Sequence, residues 1–247
     1  MTTVAVLCDP PRPGLVLQRL VETSPLSETE AAELYAVFTR DVVRAVVDSG
    51  GELLVNYRPD EALAVDATDG SDAESEVRAA VSEVVDDARF EVQVGETFAG
   101  RAGNTATHLL ENEGVGSVAI VRPESAFLAR TDIDGAAMKL RSSEVVLGPA
   151  TGGRVYYAGF TEPIDFTDAY TPPALETLVD HSLDAGFDTD FLEFQPVIET
   201  NADLAEAIVQ LEARRRAGRI VPPAFSKWVA ESDLRVVQGD DGLSIER

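Results

Sequence analysis

VAVLCDPPRPGLVLQRL, residues 4–20, is the stretch on which the fold turns. It opens with an uninterrupted apolar run, Val4-Ala5-Val6-Leu7. A run without polar alternation predicts a strand covered on both faces, as in a parallel sheet flanked by helices. Pro10, Pro11 and Pro13 then fix the backbone, and Gly14 is free to take positive φ. Leu15, Leu17, Leu20 and Val21 alternate with Arg19 as the loop continues. In an open α/β sheet, ligands bind where the chain leaves the C-terminal end of a strand. A stiff loop presenting Arg12 and Arg19 there suits an anionic ligand such as a nucleoside diphosphate. A proline-stiffened surface loop with two solvated arginines fits the same residues equally well.

The alternation of strand and helix continues downstream. Ser27-Glu28-Thr29-Glu30 has the form of a capping box, and the helix it starts runs to about Asp48, where Ser49-Gly50-Gly51 stops it. Apolar runs predict further strands at 52–57, 90–94, 117–121, 144–147 and 191–198. Helical periodicity falls at 73–87, 102–113 and 133–140, then from Pro172-Pro173 to about Ala185 before Gly186, and beyond Asp203 to Arg214-Arg215-Arg216. Residues 66–76 are acidic and loop-like. The pattern predicts a three-layer α/β/α sandwich with a mostly parallel sheet over residues 1–213. Residues 214–247 are expected to add a helical extension, packed by Trp228, and an acidic tail that frays from Asp240.

Composition narrows the setting. The 247 residues carry a net charge of −24, with 44 Asp and Glu and only Lys139 and Lys227 as lysines. Acid spread along the whole chain implies a surface adapted to high salt, where the Debye length falls to about 3 Å and self-repulsion is screened. The same charge disfavours nucleic acid as a partner. Cys8 is alone, which excludes an internal disulfide and a cysteine-based zinc site. No signal peptide or transmembrane stretch is evident, so a cytoplasmic protein is expected.

Several segments resemble, in order, a family of glycosyltransferase-like proteins of the GT-A fold related to the 2-phospholactate guanylyltransferases. Pro11, Gly14, Arg19 and Leu20 match its opening motif, with Asp9 and Leu17-Gln18 where the family has basic groups. Ala31 to Asp41 matches a helical motif, and Gln93, Gly100 and Arg101 match a strand-and-loop motif. Gly148-Pro149-Ala150-Thr151-Gly152-Gly153-Arg154, running into Tyr156-Tyr157, is the most specific match. Glu199 to Leu204 resembles a further acidic segment. The resemblance spans roughly residues 4–211 and implies the nucleotide-diphospho-sugar transferase fold.

The departures from that family bear on function. At the end of the fourth strand it places an Asp that holds Mg²⁺ or Mn²⁺ against a diphosphate, since hard cations take carboxylate oxygens. Here Arg122-Pro123-Glu124 stands there, and the Asp before the glycine pair is absent. Mg²⁺ or Mn²⁺ is therefore disfavoured, and no metal ligands are assigned. The nucleotide-binding candidates are Arg12, Gly14, Arg19, Arg101, Arg122, Gly152, Gly153 and Arg154; Glu199 and Glu124 are the candidate catalytic carboxylates. Arginine can take a cation's role toward phosphate. The expected function is that of a glycosyltransferase-like protein binding a nucleotide-sugar, with metal independence an open possibility; an inactive scaffold and a guanylyltransferase-like enzyme are the alternatives.

Overall fold

The structure, a computed structural model, describes residues 1–65, 67, 70–239 and 242–247. Part of the acidic loop and the first residues of the tail thus lie outside the described residues. A seven-stranded sheet forms the middle layer, in the order β3-β2-β1-β4-β6-β5-β7. Its strands are β1 (Thr2–Cys8), β2 (Glu52–Tyr57), β3 (Arg89–Val92), β4 (Ser117–Val121), β5 (Val145–Ala150), β6 (Arg154–Phe160) and β7 (Thr189–Phe191). β1 pairs in parallel with β2 and β4, β2 with β3, and β5 with β7. β6 runs antiparallel to both of its neighbours, β4 and β5. The expected sandwich and its mostly parallel sheet are both present.

β1 lies inside the sheet between β2 and β4, and all seven of its residues are buried. Val4, Val6 and Cys8 face one layer, and Ala5 and Leu7 face the other, following the period of two along a strand. The first layer comprises α2 (Glu28–Val47), α3 (Ala73–Val81), α5 (Arg130–Lys139), α7 (Asn201–Arg216) and α8 (Pro223–Glu231). The second is built on α4 (Phe98–Thr107) and α6 (Ala174–Asp184). α2 starts as its sequence requires. Ser27 accepts the Glu30 N–H at 3.3 Å, while the Glu30 carboxylate accepts the Ser27 N–H at 2.9 Å. Thr200 and Asp203 cap α7 in the same reciprocal way.

Four local expectations need correction. The loop after β1 closes into a short helix, α1 (Gln18–Thr23), entered through Leu17 at φ 50°. The apolar run 191–198 gives only the end of β7, with one isolated bridge from Gln195 to Ala150. The helix expected from 73 to 87 ends at Val81. The described residues of the C-terminal tail are paired rather than frayed. β8 (Arg235–Gly239) and β9 (Gly242–Glu246) form an antiparallel hairpin that lies on α7, with Ile245 buried.

Candidate functional site

A cavity of about 470 Å³ opens at the C-terminal ends of β1, β3 and β4, beside the turn that joins β5 to β6. This is the edge where an open α/β sheet receives ligands. Arg19, Arg101, Arg122, Arg154, Gly152, Glu124 and Glu199 all line it. Seven of the ten residues singled out by sequence therefore meet in one place, although they come from separate parts of the chain.

Arg12, Gly14 and Gly153 do not line the cavity. Arg12 is only 3% exposed and is consumed by structure. Its guanidinium donates to Glu76 (2.8 Å), Asp60 (2.6 Å) and the Val65 carbonyl (3.0 Å), clamping the proline loop to the segment leading into α3. The Glu76 hydrogen bond, opposed by burial, leaves its pKa above the ordinary arginine value. Gly14 takes φ +75° and faces Glu28. Gly153 takes φ +68°, and a Cβ there would stand 2.8 Å from Pro173 Cβ, so it serves the turn.

Within the cavity, four arginines are balanced by Asp9, Glu124, Glu199 and Asp203. Arg122 donates to Glu124 Oε1 at 2.8 Å and lies 3.3 Å from Glu199 Oε1. Burial works against the Arg122 charge, but Glu124 and Glu199 outweigh it and leave the pKa raised. Arg154 holds Asp203 by two hydrogen bonds, at 2.7 and 3.0 Å, and lies 3.3 Å from Glu199 Oε2. Arg19, largely exposed, reaches the same Glu199 oxygen at 3.3 Å. Asp203, penalised by burial, is nonetheless lowered by the Arg154 contact.

Arg101 is different. It has no carboxylate partner among the described residues. Its Nε donates to Gln93 Oε1 at 2.7 Å and its Nη1 to the Glu96 carbonyl at 2.9 Å. Gln93, itself buried, is fixed by donating to the Cys8 and Asn56 carbonyls. Burial, with Arg58 and Arg122 nearby, pushes the Arg101 pKa down, the signature of a cation lacking its counter-ion. Beside it lie Phe98 and Tyr170, packed edge to face at 4.9 Å, with the Arg101 and Arg122 guanidinium groups 6.0 and 5.1 Å from the Phe98 ring centre. The Tyr170 hydroxyl and Glu124 Oε2 are buried without a hydrogen-bond partner.

Sequence reasoning missed Arg58, which grips Asp9 with two hydrogen bonds of 2.5 and 2.7 Å, and the aromatic wall of Phe98 and Tyr170. Arg58 follows directly on a strand, and that position was a usable signal. Asp203, outside the candidates drawn from the sequence, orients Arg154 from the first turn of α7.

The donor set does not suit a divalent cation. Glu124 and Asp203 are each hydrogen-bonded to an arginine, and Arg122 stands at the end of β4. No three metal-ligating side chains converge among the described residues.

The fold, a mostly parallel seven-stranded sheet between helices, is shared with solved structures. The chain matches a solved structure from Desulfovibrio desulfuricans, provisionally named a nucleotide-diphospho-sugar transferase, with TM-score 0.75 and 19% identity over 94% of this chain and 95% of that one. It is also similar to a CMP:2-keto-3-deoxy-manno-octonic acid synthetase complexed with CTP (TM-score 0.50, 11% identity, 87% of this chain and 99% of that one). A cytidylyltransferase from Leptospira borgpetersenii scores 0.50 at 8% identity, covering 93% and 94% of the two chains. No family model and no curated protein matches the sequence. Among the described residues, no helix is long and apolar enough to cross a membrane.

Proposed function

We propose that the cleft binds a nucleoside diphosphate or its sugar conjugate, with arginines in place of a metal ion, and that the protein is a glycosyltransferase-like enzyme. One observation carries the reading. Arg19, Arg101, Arg122 and Arg154, from four separate parts of the chain, converge on one cleft at the ligand-binding edge of the sheet. Arg19, Arg122 and Arg154 face the diphosphate, because guanidinium forks match phosphate oxygens and keep their charge when partly buried. Phe98 and Tyr170 offer an apolar wall to a base or sugar ring. Glu124, which orients Arg122 and lines the cleft, is the carboxylate assigned to accept a proton from an acceptor hydroxyl. The related folds, among them a synthetase bound to CTP, support a nucleotide as ligand.

A second reading, a binding protein without catalysis, is favoured by the engagement of Glu199 and Asp203 with arginines. Isothermal titration with a panel of nucleoside diphosphates, their sugar conjugates and GTP, in molar KCl, tests binding. Saturable heat that is the same in EDTA and in Mn²⁺ is expected. Binding that appears only with Mn²⁺ would overturn the metal-free site, and silence throughout would overturn the nucleotide reading. Release of free nucleoside diphosphate from the bound conjugate then separates enzyme from binder.

A further inference from the structure

We infer that Glu199 is a resident counter-anion, seated where the terminal phosphoryl group of a nucleoside diphosphate binds, and that the ligand displaces it; this rests on the nucleotide reading above. Three guanidinium groups meet on this single carboxylate. Arg122 faces Oε1, while Arg19 and Arg154 share Oε2, all three at 3.3 Å. These separations exceed the roughly 2.7–2.9 Å of a good charge-assisted bond. The neighbouring acids behave otherwise: Glu124 holds Arg122 at 2.8 Å and Asp203 holds Arg154 at 2.7 Å. Glu124 and Asp203 thus keep the two half-buried arginines in place whether or not Glu199 is there.

The three guanidinium groups hold this carboxylate only at 3.3 Å, whereas a phosphoryl group offers an oxygen to each. Charge points the same way. Exchanging one unit of negative charge for another gains little, whereas a terminal phosphoryl brings about two. The seat therefore selects a terminal phosphoryl over the internal phosphodiester of an intact conjugate. A group leaving as the nucleoside diphosphate acquires that extra charge as its bond to the sugar breaks, so the seat favours the departing state. Glu199 can move without unmaking α7. It precedes the cap residue Thr200, and its own N–H is held by Asp203 at 3.2 Å, so only the side chain need swing.

The experiment compares wild type with Glu199→Gln, and with Glu199→Ala as a second variant, by calorimetric titration of inorganic pyrophosphate, a probe that does not depend on the base. Circular dichroism confirms the fold of each. Removing the resident charge is expected to tighten pyrophosphate binding by at least about tenfold. Unchanged or weaker binding in the folded variants overturns the counter-anion role. If wild type binds nucleotides from the panel but neither it nor the variants bind pyrophosphate, the seat is refuted and the nucleotide reading stands. Silence toward both pyrophosphate and nucleotides removes both.

Discussion

Asp41, inside α2, accepts the Ala224 N–H at 2.9 Å and the Phe225 N–H at 2.7 Å, capping the start of α8 from a distant part of the chain. Burial drives its pKa up to about 6 from an ordinary 3.8, against the pull of those two N–H groups and of Arg44 and Arg40. The folded state therefore holds this proton more tightly than the unfolded chain does. Protonation favours folding, and the Asp41 contribution to stability falls as pH rises from about 3.8 to about 6. Urea denaturation across that window should show a more negative slope of stability with pH in wild type than in Asp41→Asn. Parallel slopes would contradict the assignment. At this scale the sequence was informative about which residues are charged and silent about their partners. Arg12 and Arg122 both follow a strand within a few residues. They differ because Asp60 and Glu76, far along the chain, neutralise Arg12 in the interior, while Arg122 keeps a face on the cleft. No local pattern encodes those pairings.

Among the elements, the C-terminal hairpin shows best what charge can hide. The acidic composition near its turn suggested fraying, yet Val236, Leu243 and Ile245 supply an apolar face. Ile245 is 2% exposed, and its N–H is taken by Asn201 at 2.7 Å, at the start of α7. Arg247 reaches back to Glu30 on α2. The hairpin thus braces α7, whose first turn carries Asp203 and, just ahead of it, Glu199. Ile245→Ala should cost about 2–5 kcal/mol, the usual range for truncating a buried Ile, read as a lowered denaturation midpoint at unchanged slope. A cost near zero would mean that the tail does not pack. The elements with strong signals, β1 and the capped α2, were legible because burial and capping are written locally. The run at 191–198 misled because apolar content does not guarantee a pairing partner. Phe194 in fact stands 61% exposed.

For the whole molecule, the alternation of strand and helix was enough to predict a layered α/β sandwich, since each strand needed cover on both faces. Strand order was not written in composition; it follows from how the antiparallel β6 inserts between β4 and β5. That insertion brings the β5–β6 turn, with Gly152 and Arg154, up to the ends of β1 and β4 and so closes the cleft. The carboxylates of the site were not simply exchanged for arginines. Four of each line the cavity, and most are mutually paired. Arg101 is the useful exception. Replacing a paired arginine would free a carboxylate and confuse the result, whereas Arg101 leaves none behind. The most direct measurement is therefore the calorimetric affinity of Arg101→Gln for the nucleotide that wild type binds. A charge-assisted contact contributes about 1.5–3 kcal/mol, so a loss of roughly 10- to 100-fold with an unchanged melting temperature is expected. Wild-type affinity in that variant would contradict an arginine-built nucleotide site.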